Sequence, residues 1–280
     1  MTVGVVTDST SDIPVEVAQE LGITVVPLYI HFGNEVFQDG VDLDADEFYR
    51  RLETEPKLPK TSAPSSGTFI ETYERLAAET DEIISLHIST RLSATYNSAL
   101  VAKEGTRADC HIEVVDSLST SIGLALLAIT AAKEALTGAS LERITATVNE
   151  SIPRTHYFGM LDTLQYLYKG GRIGKAQTFL GSMLNVKPLL TLRDGEAYPV
   201  ERVRGRPRAL DRLCELVERY PNIKELAIAD TTTPEDLETL AVRLSALFPR
   251  EQTYRSRCGS TMGTYLGPGA LTVALIEEAV

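Results

Sequence analysis

Two stretches rich in hydroxyl side chains carry the chemistry most open to reading. The first is Ser89-Thr90-Arg91-Leu92-Ser93-Ala94-Thr95-Tyr96. It follows residues 82–88, which have the composition of a buried strand, and leads into a helical stretch over 96–103. The first N–H groups of a helix have no partner inside it, and the helix dipole favours negative charge there. A strand that passes through small hydroxyl residues into a helix therefore builds a site for an anion. Ser93 and Thr95 would add hydroxyl donors. The second stretch, Thr61-Ser62-Ala63-Pro64-Ser65-Ser66-Gly67, also precedes a helical pattern, and the two together suit one small anionic group. The same residue types serve as helix N-caps for purely local reasons, so both readings stand.

Other reactive residues say less. Ser93 could be the nucleophile of a hydrolase or phosphotransferase acting on a small anion. Its neighbours are Leu92 and Ala94, however, not the glycines of a nucleophile elbow. Of His31, His87, His111 and His156, three lie in strand-like runs, where a structural histidine is expected rather than a general base. Gly170-Gly171-Arg172 could cradle phosphate or end a helix, and no Walker lysine follows it. Arg202, Arg204, Arg206 and Arg208 form a basic cluster, either solvated or a phosphate-facing docking patch. Asp42-Leu43-Asp44-Ala45-Asp46 resembles a calcium loop, but Glu47 holds the place that needs glycine. A helix start explains it better: Asp44 as cap, Glu47 completing a capping box and Leu43 stapled to Phe48.

The elements that must position these residues alternate. Residues 3–7 read as a strand covered on both faces, with Pro14 suited to a first helical turn. Residues 23–32 read as a strand running into a hairpin at Gly33-Asn34. Helices are expected over 68–78, 121–136 and 141–150, and a strand over 111–115. The 121–136 helix is apolar nearly all round, so it must be buried on several sides. Strands alternating with helices predict a parallel α/β sheet, whose ligands gather at the carboxyl ends of its strands. Past Pro153-Arg154 the pattern predicts a strand over 157–161 and helices over 162–168 and 176–184. A hairpin follows at Asp194-Gly195, then helices over 208–220 and 234–248 and strands over 225–229, 251–257 and 271–277. The expected fold class is α/β, with an N-terminal parallel-sheet α/β domain over residues 1–155. A C-terminal α+β domain takes residues 156–280.

The 280 residues are 43% hydrophobic, enough for a substantial core. With 27 basic and 39 acidic residues the formal charge is −12, which argues against nucleic acid as a partner. Three scattered cysteines suit neither a disulfide framework nor a zinc site. No apolar run approaches the ~18 residues of a membrane span. The chain opens directly on a strand, so a cytoplasmic protein is expected.

Taken in order, the motifs resemble the DegV family, the fatty-acid-binding subunits of bacterial fatty acid kinase. They are Asp8-Ser9-Thr10-Ser11-Asp12, the two hydroxyl stretches, Val115-Asp116-Ser117, Tyr168-Lys169-Gly170-Gly171-Arg172-Ile173, Asn185-Val186-Lys187-Pro188 and Gly267-Pro268-Gly269. The resemblance implies no enzyme in this chain and no cofactor. It implies a long-chain fatty acid in an apolar tunnel between and within two domains. The carboxylate would be held by Thr61, Ser62, Ser93 and the backbone of Ala94, where the family often has glycine. It implies an ATP-binding kinase subunit as partner, which phosphorylates the bound acid, and transient membrane contact. Arg172 would face the carboxylate and the partner, with Arg202 and Arg204 as further partner- or phosphate-facing residues. Tyr265 stands where many members carry histidine, and it can donate a hydrogen bond without becoming a cation near neutral pH.

Overall fold

The computed structural model of the chain describes residues 2–107, 109–181 and 185–279. The first half runs β1 (Gly4–Asp8), α1 (Val15–Glu20), β2 (Ile23–Val26), β3 (Tyr29–Phe32), β4 (Glu35–Gln38), α2 (Ala45–Thr54) and β5 (Lys60–Ser62). It continues through α3 (Ser66–Leu76), β6 (Glu82–His87), α4 (Thr95–Gly105), β7 (His111–Asp116), α5 (Ser121–Leu136) and α6 (Leu141–Ser151). Strands β2-β1-β6-β7 make a wholly parallel sheet, and β4-β3-β5 a small antiparallel one.

The second half runs β8 (Thr155–Met160), α7 (Gln165–Lys169), β9 (Val186–Arg193), β10 (Glu196–Arg204) and α8 (Arg206–Val217). Then come β11 (Ile223–Asp230), α9 (Pro234–Leu244), β12 (Tyr254–Arg257), α10 (Ser260–Leu266) and β13 (Leu271–Glu277). Its six-stranded sheet, β10-β9-β8-β13-β11-β12, is antiparallel except at β11-β12. The α/β class with a parallel N-terminal sheet and a mixed C-terminal one is as the pattern predicts.

Helix α5 holds the two sheets together. Nearly every position of it, from Ser121 to Ala132 and again at Ala135, is buried. It packs against β1 on one side and β13 on the other, inside one continuous apolar cluster. Helices α3 and α4 cover the outer face of the parallel sheet through Phe69, Tyr73, Ala99 and Ala102. Helices α8 and α9 cover the outer face of the mixed sheet through Leu210, Leu213, Leu237 and Leu240.

Four expectations fail. The strand over 23–32 divides, because Pro27 has no N–H for a ladder, and β2 and β3 join different sheets. The helix over 176–184 is a 3-10 helix at Gly174–Phe179, and residues 182–184 lie outside those described. Helix α10 occupies a segment whose glycines read as a break between strands. Gly263 instead lets α10 approach α2, since a Cβ there would come within 2.6 Å of Phe48 Cε1. The Asp44 cap forms as expected, accepting from Glu47 N at 2.8 Å, and Leu43 clusters with Phe48. The Glu47 carboxylate turns to Arg50 rather than back to the cap.

Truncating the core of α5 should be costly. Leu127 is fully buried within the cluster that joins both sheets. Leu127→Ala should lower unfolding free energy by about 2–5 kcal/mol in a urea titration. A loss below about 1 kcal/mol would contradict the central place given to this helix.

Candidate functional site

At the N-terminal end of α5 the two sheets are no longer filled by that helix, and a cavity of about 710 Å³, counted to its open mouth, lies there with Thr120 in its wall. The parallel-sheet side contributes Thr10, Leu28, Ile88 and Leu92. The mixed sheet contributes Gly159, Leu161, Leu190 and Leu192, and α10 contributes Met262 and Leu266. Most of these side chains are buried and apolar.

Four polar side chains of the lining gather as a half-buried group: Thr61, Ser93, Arg172 and Tyr265. Thr61 Oγ1 and the Tyr265 hydroxyl share a hydrogen bond of 2.6 Å. The Arg172 guanidinium sits over the Tyr265 ring, 5.2 Å from its centroid. Arg172 Nε donates to Leu92 O at 3.1 Å and Nη1 to Gly170 O at 2.9 Å. Its Nη2 donates no hydrogen bond among the described residues. Ser93 Oγ pairs with Thr95 Oγ1 at 2.9 Å and accepts from Thr95 N at 3.3 Å. The group thus offers one guanidinium edge and three hydroxyls, a set suited to a carboxylate. Gly170 makes room for it, since a Cβ there would come within 2.6 Å of the Tyr265 ring.

Buried carboxylates set this geometry from behind. Asp8 Oδ2 accepts from Ile88 N at 3.1 Å and pairs with His87 Nδ1 at 2.9 Å, while Oδ1 holds Thr10. His87 Nε2 continues to Ser85 Oγ at 2.7 Å, and Ser85 accepts from Tyr73. Nearer the surface, half-buried Asp116 accepts from Thr90 Oγ1 at 2.7 Å and from Leu118 N at 3.0 Å, so the ends of β6 and β7 are tied. The start of α10 is held in the same way. Asp12 accepts from Gly259 N at 2.8 Å and Ser121 Oγ at 2.5 Å. Asp39 accepts from Ser260 N at 2.9 Å and Thr261 N at 3.3 Å. Helix α10 in turn carries Met262, Tyr265 and Leu266 into the cavity.

Of the residues singled out in the sequence, Thr61, Ser93, Arg172 and Tyr265 come together. Ser62 and Ala94 do not line the cavity. Ser62 alternates to the other face of β5 and shares a 2.9 Å hydrogen bond with His31 Nε2. Ala94 is the exposed N-cap of α4, and its neighbour Thr95 takes the Ser93 hydroxyl. Arg202 and Arg204 lie on β10 away from this cavity, with Arg202 over the Phe179 ring at 5.3 Å. Arg206 is no solvated member of a basic patch. Its guanidinium joins Asp162, Asp236, Thr233 and the Gly269 carbonyl, and Asp162 also takes Lys187. The Lys187 and Gly269 motifs therefore share one ion network. All four histidines have ring partners outside the cavity: Ser62, Asp8 and Ser85, Glu113, and Glu277. Sequence reading missed the Asp12 and Asp39 clamp. The Thr261 to Tyr265 spacing of four, behind Gly259, is the signal that would have revealed α10.

An apolar cavity between a parallel and a mixed sheet, with a polar mouth built from hydroxyl loops, is the class of site that fold and geometry define. The sequence model described as "Uncharacterised protein, DegV family" matches residues 2–278, and the chain belongs to the DegV family. A DegV domain-containing protein of Caldanaerobacter subterraneus is 36% identical over 279 residues, covering 99% of each chain. The fold is similar to that of a fatty-acid-binding DegV family protein from Thermus thermophilus. Their TM-score is 0.92 at 29% identity, over 99% of this chain and 100% of that one. It is also similar to a stearic-acid-binding protein from Eubacterium ventriosum, with a TM-score of 0.89 at 26% identity over 98% of both.

The clamp on α10 has a pH signature. Burial pushes the Asp12 carboxyl up from 3.8 to about 7, against the hydrogen bonds from Ser121 and Gly259 and with help from nearby Asp39. Burial also raises Asp39. Between the ordinary carboxylate range and about 7, folded Asp12 holds a proton that the unfolded chain releases. Stability therefore falls as pH rises through that window and levels off above it. Unfolding free energy should be greater at pH 5 than at pH 8, and Asp12→Asn should remove much of that slope, on the order of 1–4 kcal/mol. An unchanged slope in denaturant titrations of the variant would contradict this.

Proposed function

We propose that the protein binds a long-chain fatty acid and presents its carboxylate to an ATP-binding kinase subunit. The acyl chain fills the apolar cavity, and the carboxylate meets Thr61, Ser93, Arg172 and Tyr265. The observation that carries this reading is the division of one cavity into a half-buried polar mouth and a buried apolar interior. The fatty acids bound by the Thermus and Eubacterium relatives support it. A sixteen-carbon chain burying about 14 methylenes gains on the order of 11 kcal/mol before ordering costs. Each hydrogen bond to the charged head adds about 1.5–3 kcal/mol, so the chain supplies affinity and the head group supplies orientation.

In this reading residues 1–155 and 156–280 act as two domains that meet across the cavity. Ser62 and the Ala94 N–H lie next to the head-group residues in sequence and serve the outer side of the mouth. The partner transfers a phosphoryl group from ATP to the carboxylate, leaving an acyl phosphate and ADP, while this chain does no chemistry of its own. Arg172, Arg202 and Arg204 face that partner. The protein works in the cytoplasm and collects its lipid by transient membrane contact. Among the described residues no helix is long and apolar enough to cross a membrane. A hydrolase built on Ser93 gains no support, because the recorded partners of its hydroxyl both belong to Thr95.

Mass spectrometry of an organic extract of the denatured, purified protein should find a stoichiometric fatty acid. By calorimetry, Ser93→Ala should then weaken binding of that acid by about 1.5–3 kcal/mol with the fold intact. A protein that yields no fatty acid and takes up none from solution would sink the proposal.

A further inference from the structure

The inward face of strand β8 has a gap in its row of side chains. Tyr157, Gly159 and Leu161 alternate onto the cavity, while Phe158 and Met160 join the outer apolar cluster. Gly159 pairs with Leu190 of β9 on one side and Thr272 of β13 on the other, so it lies in the interior of the six-stranded sheet. Glycine inside a strand weakens it, through conformational entropy and the lack of a side chain to pack. The usual reasons for glycine are missing here. Its φ is not positive, and the ladder passes through it without a bulge. Nor is space short. A Cβ at Gly159 would meet Leu161 Cδ1 at 3.5 Å, Thr272 Cγ2 at 3.8 Å and Tyr157 Cε1 at 3.9 Å, all ordinary contacts. Gly170 and Gly263 differ, since a Cβ at either would come within 2.6 Å of a neighbouring ring. Among the described residues Gly159 is the one glycine lining the cavity. Its neighbour Tyr157 packs beside Gly123 in the first turn of α5, so the gap opens next to the place where that helix stops filling the space between the sheets.

A strand interior that keeps glycine with neither strain nor crowding to require it marks a close approach of something else to its backbone. We propose that Gly159 is a specificity-determining residue, which sets how long an acyl chain the cavity accepts. The chain crosses β8 at Gly159 in contact with the backbone, and a side chain there would take the place of methylenes. The ligand class is an unbranched fatty acid long enough to extend over β8. This rests on the fatty-acid reading above and deepens it. Each methylene displaced from the cavity lowers affinity about fourfold. Valine adds three carbons at this position, so an acid that fills the cavity should lose affinity on the order of 50-fold. An acid too short to reach Gly159 should lose none.

The test is competition calorimetry of the lipid-stripped protein and its Gly159→Ala and Gly159→Val variants with the even-numbered straight-chain acids from decanoic to octadecanoic. In the native protein affinity should rise with chain length until the cavity is full. In Gly159→Val the rise should stop about two to four carbons sooner, with the short acids bound as before. Gly159→Ala should weaken the longest acids about fourfold and leave the ligand-free protein as stable to heat as the native one, or more so. A loss by the same factor at every chain length would make Gly159 a structural residue and overturn the proposal. A length profile unchanged in both variants would overturn it as well, while the fatty-acid reading stands. If Gly159→Val does not fold, Gly159→Ala carries the test. If Gly159→Ala does not fold either, protein packing demands the glycine and the proposal is wrong. A native protein that binds no acid of the series would bring down the fatty-acid reading and this one with it.

Discussion

A helix without a polar face cannot lie on a surface, and α5 is such a helix. Its side chains from Ser121 to Ala132 are buried, so something apolar must meet it on every side. The parallel sheet and the mixed sheet both do, and outer helices then cover their far faces. This one constraint stacks the chain in layers and sets the separation of the sheets. Where α5 begins, at Thr120, the separation persists but the filling stops. The cavity is what remains, and α10 closes it.

Carboxylates inside the fold then do what loops alone cannot. Asp8, Asp12 and Asp39 each accept from backbone N–H groups at strand ends or at the start of α10. Burying them is costly, as the raised pKa of Asp12 shows. The return is a rigid placement of the two surfaces that carry Ser93 and Tyr265. Arg172 links those surfaces, because it reaches from the second half of the chain to the Leu92 carbonyl of the first. The Tyr265 ring lies beneath it, against Gly170.

Much of this was legible in the sequence, and the reasons are local. The 121–136 helix was visible because its apolar residues leave no polar stripe. The hydroxyl loops were visible because strand, small polar residues and helix follow in fixed order. Thr61, Ser93, Arg172 and Tyr265 converge in one cavity although they are far apart in sequence; residue chemistry joined the two hydroxyl stretches around one anion, and the resemblance to a family added Arg172 and Tyr265. What depends on three-dimensional pairing was hidden. Pro27 splits a run that looks continuous. Glycines at 259, 263 and 267 looked like turn signals, yet Gly263 permits the close packing of α10 on Phe48 and Tyr49. Arg206 looked like one arginine among four, and only the fold reveals Asp162, Asp236 and Thr233 around it.

The central claim is that one fatty acid lies with its carboxylate at the mouth and its chain inside. Crystals of the protein loaded with a fatty acid carrying bromine on its terminal carbon would locate both ends. The account predicts carboxylate density within hydrogen-bonding reach of Thr61, Ser93, Arg172 or Tyr265, with the anomalous bromine peak among the buried apolar residues behind them. A bromine peak at the mouth, or a chain lying outside this cavity, would contradict it.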